Sequence, residues 1–228
     1  MSTVTPEVET QADTGEQHLV LYGVDWNQYV AINEALPDRS GLRLIYIDGS
    51  LTFLTLSRRH DWFEDCFDKI IMVVSLHCGI EHEAAGSATL RAENETVGVE
   101  ADRAYYFGPH AAIMRGPVDI DLSTQPTPDL AIEVEVANPA DKAIATYARL
   151  GVPEVWRFDA RRKVLTFLVL GPDGAYQHAS RSRCLPLLGP EDVVGQLRLA
   201  EETDSFSRWF AQLNEWVRTT ILPRAVEG

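Results

Sequence analysis

The stretch PDLAIEVEVANPADKAIATYARLGVPEVWRFD, residues 128–159, decides the fold. Leu130 to Val136 is apolar and β-branched enough for a central strand. Pro139 and Asp141 then open a helix that runs to Leu150, where Gly151 supplies the stop. Glu154 to Phe158 resumes as a strand. A strand, a helix and a second strand in this order make a crossover, which favours a parallel pair inside an α/β sheet. In the first strand side chains alternate, so Glu133 and Glu135 share one face while Ile132, Val134 and Val136 take the other.

Working outward, Leu44–Ile47 and Leu51–Leu56 are β-rich runs joined by Asp48-Gly49, a dipeptide suited to a tight hairpin turn. Phe63, Phe67, Ile70, Ile71 and Val74 recur at helical spacing, predicting an amphipathic helix from His60 to Cys78 that ends at Gly79. Further strands are expected over Ala85–Arg91 and Arg103–Phe107. A hairpin joins Val164–Leu170 to Tyr176 across Pro172-Asp173-Gly174, and Phe206–Val217 reads as a closing helix bearing Trp209 and Trp216. Upstream, Tyr22–Leu36 reads as a short helix closed by Pro37. The expected architecture is therefore an α/β fold with a mixed central β-sheet flanked by helices.

The 228 residues, 45% of them hydrophobic, suit one domain over residues 18–222, with polar tails at 1–17 and 223–228. No run reaches the ~20 apolar residues of a membrane span, and the N-terminus lacks signal-peptide character, so a cytoplasmic protein is expected. Cys66, Cys78 and Cys184 show no CxxC spacing and read as free thiols. His77, His82 and Glu83 lack the spacing of a zinc site. A formal charge of −14 opposes salt-driven binding to a phosphate backbone, so any nucleic-acid contact must be local. The tightest basic groups are Arg58 with Arg59, and Arg161, Arg162 and Lys163. Tyr105, Tyr106, Trp156 and Phe158 alternate along strands and read as core.

Two carboxylates on one face of an apolar strand admit two readings. That face meets solvent and the acids pair with surface cations, or it is buried and a bound cation offsets desolvation and mutual repulsion. Glu100 and Asp102 repeat the two-residue spacing beside the strand Arg103–Phe107. Oxygen donors of this kind suit Mg²⁺, Mn²⁺ or Ca²⁺ rather than zinc, with Mg²⁺ or Mn²⁺ the expected cofactor. His60 either orients a ligand or phosphate or packs at an ordinary helix start.

In YIDGSL, His60, GSATLR, GVEADRAYYF, PDLAIEVEVANP and GVPEVWRFD, taken in order, the chain resembles the Uma2 family of restriction-endonuclease-like proteins, within the PD-(D/E)XK nuclease superfamily. The likeness spans Leu42 to Leu170. It implies a restriction-endonuclease-like fold and hydrolysis of nucleic-acid phosphodiesters, with DNA the expected partner and a homodimer a plausible assembly. By the resemblance, Asp102 matches the first metal-binding Asp and Glu133 the acidic residue of the second motif. Glu135 stands where the superfamily has lysine, and Ala101 where the family has proline. The implied site has Asp102, Glu133 and Glu135 as metal ligands, with the carbonyl of Val134, and catalysis by Asp102, Glu133, Glu135 and Lys142. Lys142, on the next helix, is the candidate to replace the missing lysine, its alternative being a solvated helix face, and Glu100 is a candidate to support the site from behind, its alternative being a polar loop entering the strand. The rival reading, favoured by Glu135 and the net charge, is a non-catalytic interaction or regulatory protein that retains the fold.

Overall fold

The computed structural model describes residues 5–10, 16–36, 41–94, 96–115, 120 and 122–227. Pro37, expected to close the first helix, and residues 1–4, 11–15 and 228 of the expected tails lie outside them. The described chain is mixed α/β and contains two six-stranded sheets rather than one central sheet.

In the first sheet, β1 (Thr5–Thr10), β2 (Gln17–Tyr22), β3 (Leu42–Ile47), β4 (Ser50–Thr55), β6 (Thr89–Ala92) and β7 (Val97–Glu100) run antiparallel in the order β1-β2-β4-β3-β7-β6. The β3–β4 hairpin turns at Asp48 (φ 46°) and Gly49 (φ 83°), the two consecutive positive values that the Asp-Gly dipeptide tolerates. Thr5–Thr10, inside the segment expected as a tail, pairs with β2.

The second sheet, in the order β12-β11-β10-β9-β8-β5, takes β5 (His82–Gly86), β8 (Arg103–Phe107), β9 (Leu130–Glu135), β10 (Glu154–Asp159), β11 (Val164–Leu170) and β12 (Tyr176–Ala179). Only β9 and β10 are parallel here, joined by the helix α4 (Asp141–Leu150) as the sequence predicts. The run Ala85–Arg91, expected as one strand, is split. Gly86 adopts φ 62°, and the chain leaves one sheet as β5 and enters the other as β6. Gly86 is the local sign of a break inside the run, but it does not reveal that the chain changes sheets.

Helix α2 (Arg58–Cys78) starts at the N-cap Ser57, whose hydroxyl accepts the N–H of His60, and ends at Gly79 with φ 66°. Its Phe63, Phe67, Ile70, Ile71 and Val74 pack on Leu130, Ile132, Trp156 and Phe158 of the second sheet. Burial of each such side chain contributes about 1.5–3 kcal/mol. The same core receives α5 (Pro190–Glu202), α6 (Phe206–Trp216) and a π-turn over Val217–Ile221. Helix α1 (Trp26–Ala35) covers the outer face of the first sheet, where Tyr29 stacks on Tyr46 with centroids 4.7 Å apart. Two short helices, α3 (Pro109–Met114) and α7 (Arg224–Glu227), complete the fold.

Between the sheets lies a second core. Ile45, Leu90, Val97 and Val99 from the first sheet meet Ala104, Ala131 and Val155 from the second, with Ala143, Tyr147 and Leu150 of α4. This seam positions the acidic residues. Among the described residues, no helix is long and apolar enough to cross a membrane.

Candidate metal centre

Asp102 sits in the two-residue link between β7 and β8, where the chain passes from one sheet to the other. The β8–β9 ladder pairs Arg103 with Ile132, so one step further Asp102 comes opposite Glu133. The backbone N–H of Val134 donates to Asp102 Oδ2 at 2.9 Å. Alternation along β9 sends Ile132 and Val134 into the α2 core and Glu133 toward α4, where the Tyr147 hydroxyl donates to Glu133 Oε1 at 2.5 Å. Both acids are buried, Asp102 at 4% exposure and Glu133 at 8%. The solvated-face reading therefore does not describe Glu133.

Around them stand charged groups from other elements. His60 Nε2 lies 2.9 Å from Asp102 Oδ2, and its Nδ1 lies 3.0 Å from Glu64 Oε1, one helical turn along α2. Arg43, reaching in from β3, faces Glu64, Glu100 and Asp102 at 3.5, 3.6 and 3.8 Å and donates to Ser87 Oγ at 2.9 Å. Arg103 pairs with Glu64 and, at 2.9 Å, with Asp68, which also accepts the Tyr105 hydroxyl. His60, Glu64 and Asp102 each offer a ligand atom within 4.8 Å of the others, close enough for one ion.

The charge states follow from this crowding. Burial alone pulls the His60 imidazolium down, yet the Asp102 and Glu64 carboxylates outweigh it and push its pKa up to about 10. In that protonated state Nε2 donates to Asp102, Nδ1 faces the Glu64 carboxylate at 3.0 Å without a hydrogen bond, and the ring keeps no lone pair for a metal ion. Glu133 moves well above the ordinary carboxylate range, because burial removes its water and Asp102 adds a like charge. Glu64 shifts upward too, chiefly by burial.

A cavity of about 30 Å³ opens among Glu16, Arg43, His60, Glu100, Asp102, Glu133 and the segment Asn138–Ala140. That is room for an ion or one or two waters, and far too little for a nucleotide. The larger hollow, about 570 Å³, is lined by Trp26, Arg91, Ile120 and Leu122 and holds none of these groups.

Of the predicted site residues, the structure brings Asp102 and Glu133 together, with Glu100 beside them. Glu135 and Lys142 are held elsewhere. Glu135 Oε1 lies 2.7 Å from Arg157 Nη2 and accepts the N–H of Ala140 at 2.5 Å, capping the start of α4. Lys142 donates to Thr52 on β4 at 2.9 Å. His60 belongs to the centre in addition to following a helix start. Sequence reasoning missed Glu64, Arg43, Tyr147 and Glu16. His77 bonds Asn214 and His82 stacks on Phe107, apart from this cluster.

A family model described as Uma2, putative restriction endonuclease, matches residues 26–202, well over half of the chain. The match takes in every residue lining the acidic cavity except Glu16. No curated protein matches the chain.

Proposed function

The chain belongs to the Uma2 family, and on that premise we propose that it is a metal-dependent, nuclease-like hydrolase of nucleic-acid phosphodiester bonds, with DNA the foremost substrate. One observation carries the reading. Asp102 and Glu133, buried and opposite each other across a strand ladder, line one small cavity.

The donor set fits a hard divalent cation. The facing donors are carboxylate oxygens, and the pKa of Glu133 is raised by burial and by the like charge of Asp102, both of which a bound cation would offset. In this reading Asp102 and Glu133 hold Mg²⁺ or Mn²⁺, with the Val134 carbonyl as a third oxygen, while Glu64 clusters with Asp102 and His60 rather than with Glu133. Such an ion supplies an activated water and neutralises charge at phosphorus.

The remaining work falls to the protein's own groups. Tyr147 fixes the rotamer of Glu133, while the His60 imidazolium holds Asp102 from one side and Val134 N–H from another. Arg43, buried with its Nε making no hydrogen bond, provides the positive charge that a lysine supplies elsewhere in the superfamily. Glu135 is a positioning group here, because its bond to Ala140 sets the start of the helix that carries Tyr147. Lys142 braces that helix against β4. Cutting both strands of a duplex calls for two such centres, so a homodimer is part of the proposal.

A second reading has an observation of its own. No lysine lines the cavity among the described residues, which favours a non-catalytic relative that keeps the fold. Calorimetric titration of Mn²⁺ into wild type and Glu133→Gln, followed by digestion of mixed DNA and RNA substrates with Asp102→Asn as control, separates the two. We expect binding and cleavage in wild type and neither in the variants. Binding without cleavage selects the second reading, and cleavage that survives Asp102→Asn overturns the proposed centre.

A further inference from the structure

Glu16 lies outside the matched family region, yet it is buried, at 2% exposure, and lines the acidic cavity. A carboxylate in that position adds negative charge to a site that already holds Glu64, Glu100, Asp102 and Glu133. What holds it there is a set of donors. Glu16 Oε1 accepts the Ser57 hydroxyl at 2.7 Å and the Ser57 N–H at 3.2 Å, and Oε2 accepts the Ala137 N–H at 3.0 Å. Ser57 is the N-cap of the 21-residue α2, so the positive end of that helix reinforces the seat. Arg43, more than nine-tenths buried, lines the same cavity with its Nε unbonded.

These donors flank the proposed centre. Ser57 precedes His60 by three residues on α2, and Ala137 follows Glu133 by four along the chain leaving β9. A carboxylate and a phosphodiester each present two charged oxygens on one central atom, and backbone and hydroxyl donors of this kind serve either.

We propose that the Ser57–Ala137 donor seat receives a phosphate of the nucleic-acid strand and that Glu16 occupies it in the resting chain as an internal substitute. Strand entry then requires Glu16 to leave, which also removes one repelling charge from the mouth of the cavity. The identity of the ligand rests on the nuclease reading, but the seat itself involves no metal.

The test is fluorescence anisotropy with a short labelled DNA strand in EDTA, where neither an ion nor cleavage intervenes. Inorganic phosphate is the competitor. Glu16→Gln is expected to bind the strand roughly tenfold more tightly than wild type, since a neutral amide competes poorly for charge-assisted donors. Adding Ser57→Ala to that variant is expected to reverse the gain, and phosphate to displace the strand from Glu16→Gln. Glu16→Asp, one methylene shorter, vacates the seat while keeping the charge, and a smaller gain is expected. Thermal melting verifies that each variant is folded. Unchanged or weaker binding in folded Glu16→Gln and Glu16→Asp overturns the inference, leaving Glu16 as a clamp between α2 and the loop after β9. So does a gain that Ser57→Ala leaves intact. Mn²⁺ calorimetry on the same proteins reports on the metal centre alone, so loss of that reading and loss of this one are told apart.

Discussion

The Asp102 carboxylate is tied to the backbone of β9: Val134, the residue after Glu133, donates its N–H to it at 2.9 Å. The carboxylate also anchors His60 through Nε2. Asp102→Asn keeps an oxygen for Val134 but removes the charge that sustains the imidazolium. NMR titration of the ring should find His60 protonated well into the alkaline range in wild type and titrating far lower in the variant. An unchanged titration in Asp102→Asn would mean that Glu64 alone sets the charge of His60.

Stability should decline as pH rises. Glu133 has a folded pKa raised above its unfolded value near 4.5, so the native state binds the extra proton, and that stability is lost as pH climbs through the raised value. His60 adds the same sign. Its contribution is complete below 6.5 and disappears as pH passes through about 10. Urea midpoints measured from pH 5 to pH 9 should therefore fall, and Glu133→Gln should flatten the curve and exceed wild type at the alkaline end. A wild-type midpoint that rises with pH would contradict the assigned proton on Glu133.

Tyr147→Phe removes the hydrogen bond to a buried carboxyl and nothing of the ring's packing. The loss should be about 1–3 kcal/mol in chemical denaturation, the cost of stranding a buried polar group. Because that bond lowers the Glu133 pKa, the variant should also need a higher pH to bind Mn²⁺ equally well. An affinity with the same pH dependence as wild type would detach Tyr147 from the centre.

Gly98 in β7 leaves room for Tyr29, since a Cβ there would lie 2.2 Å from the Tyr29 hydroxyl oxygen. Tyr29 is fully buried and stacked on Tyr46, so it has little freedom to retreat. Gly98→Ala should destabilise the fold by about 1–3 kcal/mol or more, the cost of overpacking. A melting temperature equal to that of wild type would show that α1 moves aside freely.

Local signals carried much of the fold. Asp48-Gly49 fixed a hairpin, the apolar spacing of α2 gave its buried face, and the crossover from Leu130 to Phe158 gave the parallel pair. Other signals went unread: the Gly189-Pro190 start with Glu191 and Asp192 announces α5, and Val193, Val194 and Leu197 follow at helical spacing. The division into two sheets had only a slight local sign, because β5 ends on the positive-φ Gly86 and only Ser87 and Ala88 separate it from β6. At the centre, Asp102 and Glu133 were legible through motif and alternation. Glu64 could have been found four residues after His60 on one helix face, and Arg43 as the charge on the Ile45 side of a buried strand. Tyr147 resembles any core aromatic until its partner is known. Glu16 lies in a polar run whose ordering comes from distant donors, which a local pattern cannot reveal.

The seam between the sheets also governs timing. Arg43 and Glu100 arrive with one sheet and Glu133 with the other, while Asp102 bridges them and His60 and Glu64 come from a helix docked across. A chain emerging from the ribosome owns most of these side chains long before residue 147 is made, but scattered along a coil they have no common focus. The acidic cluster, drawn from both sheets and a helix, therefore exists only once these elements have come together.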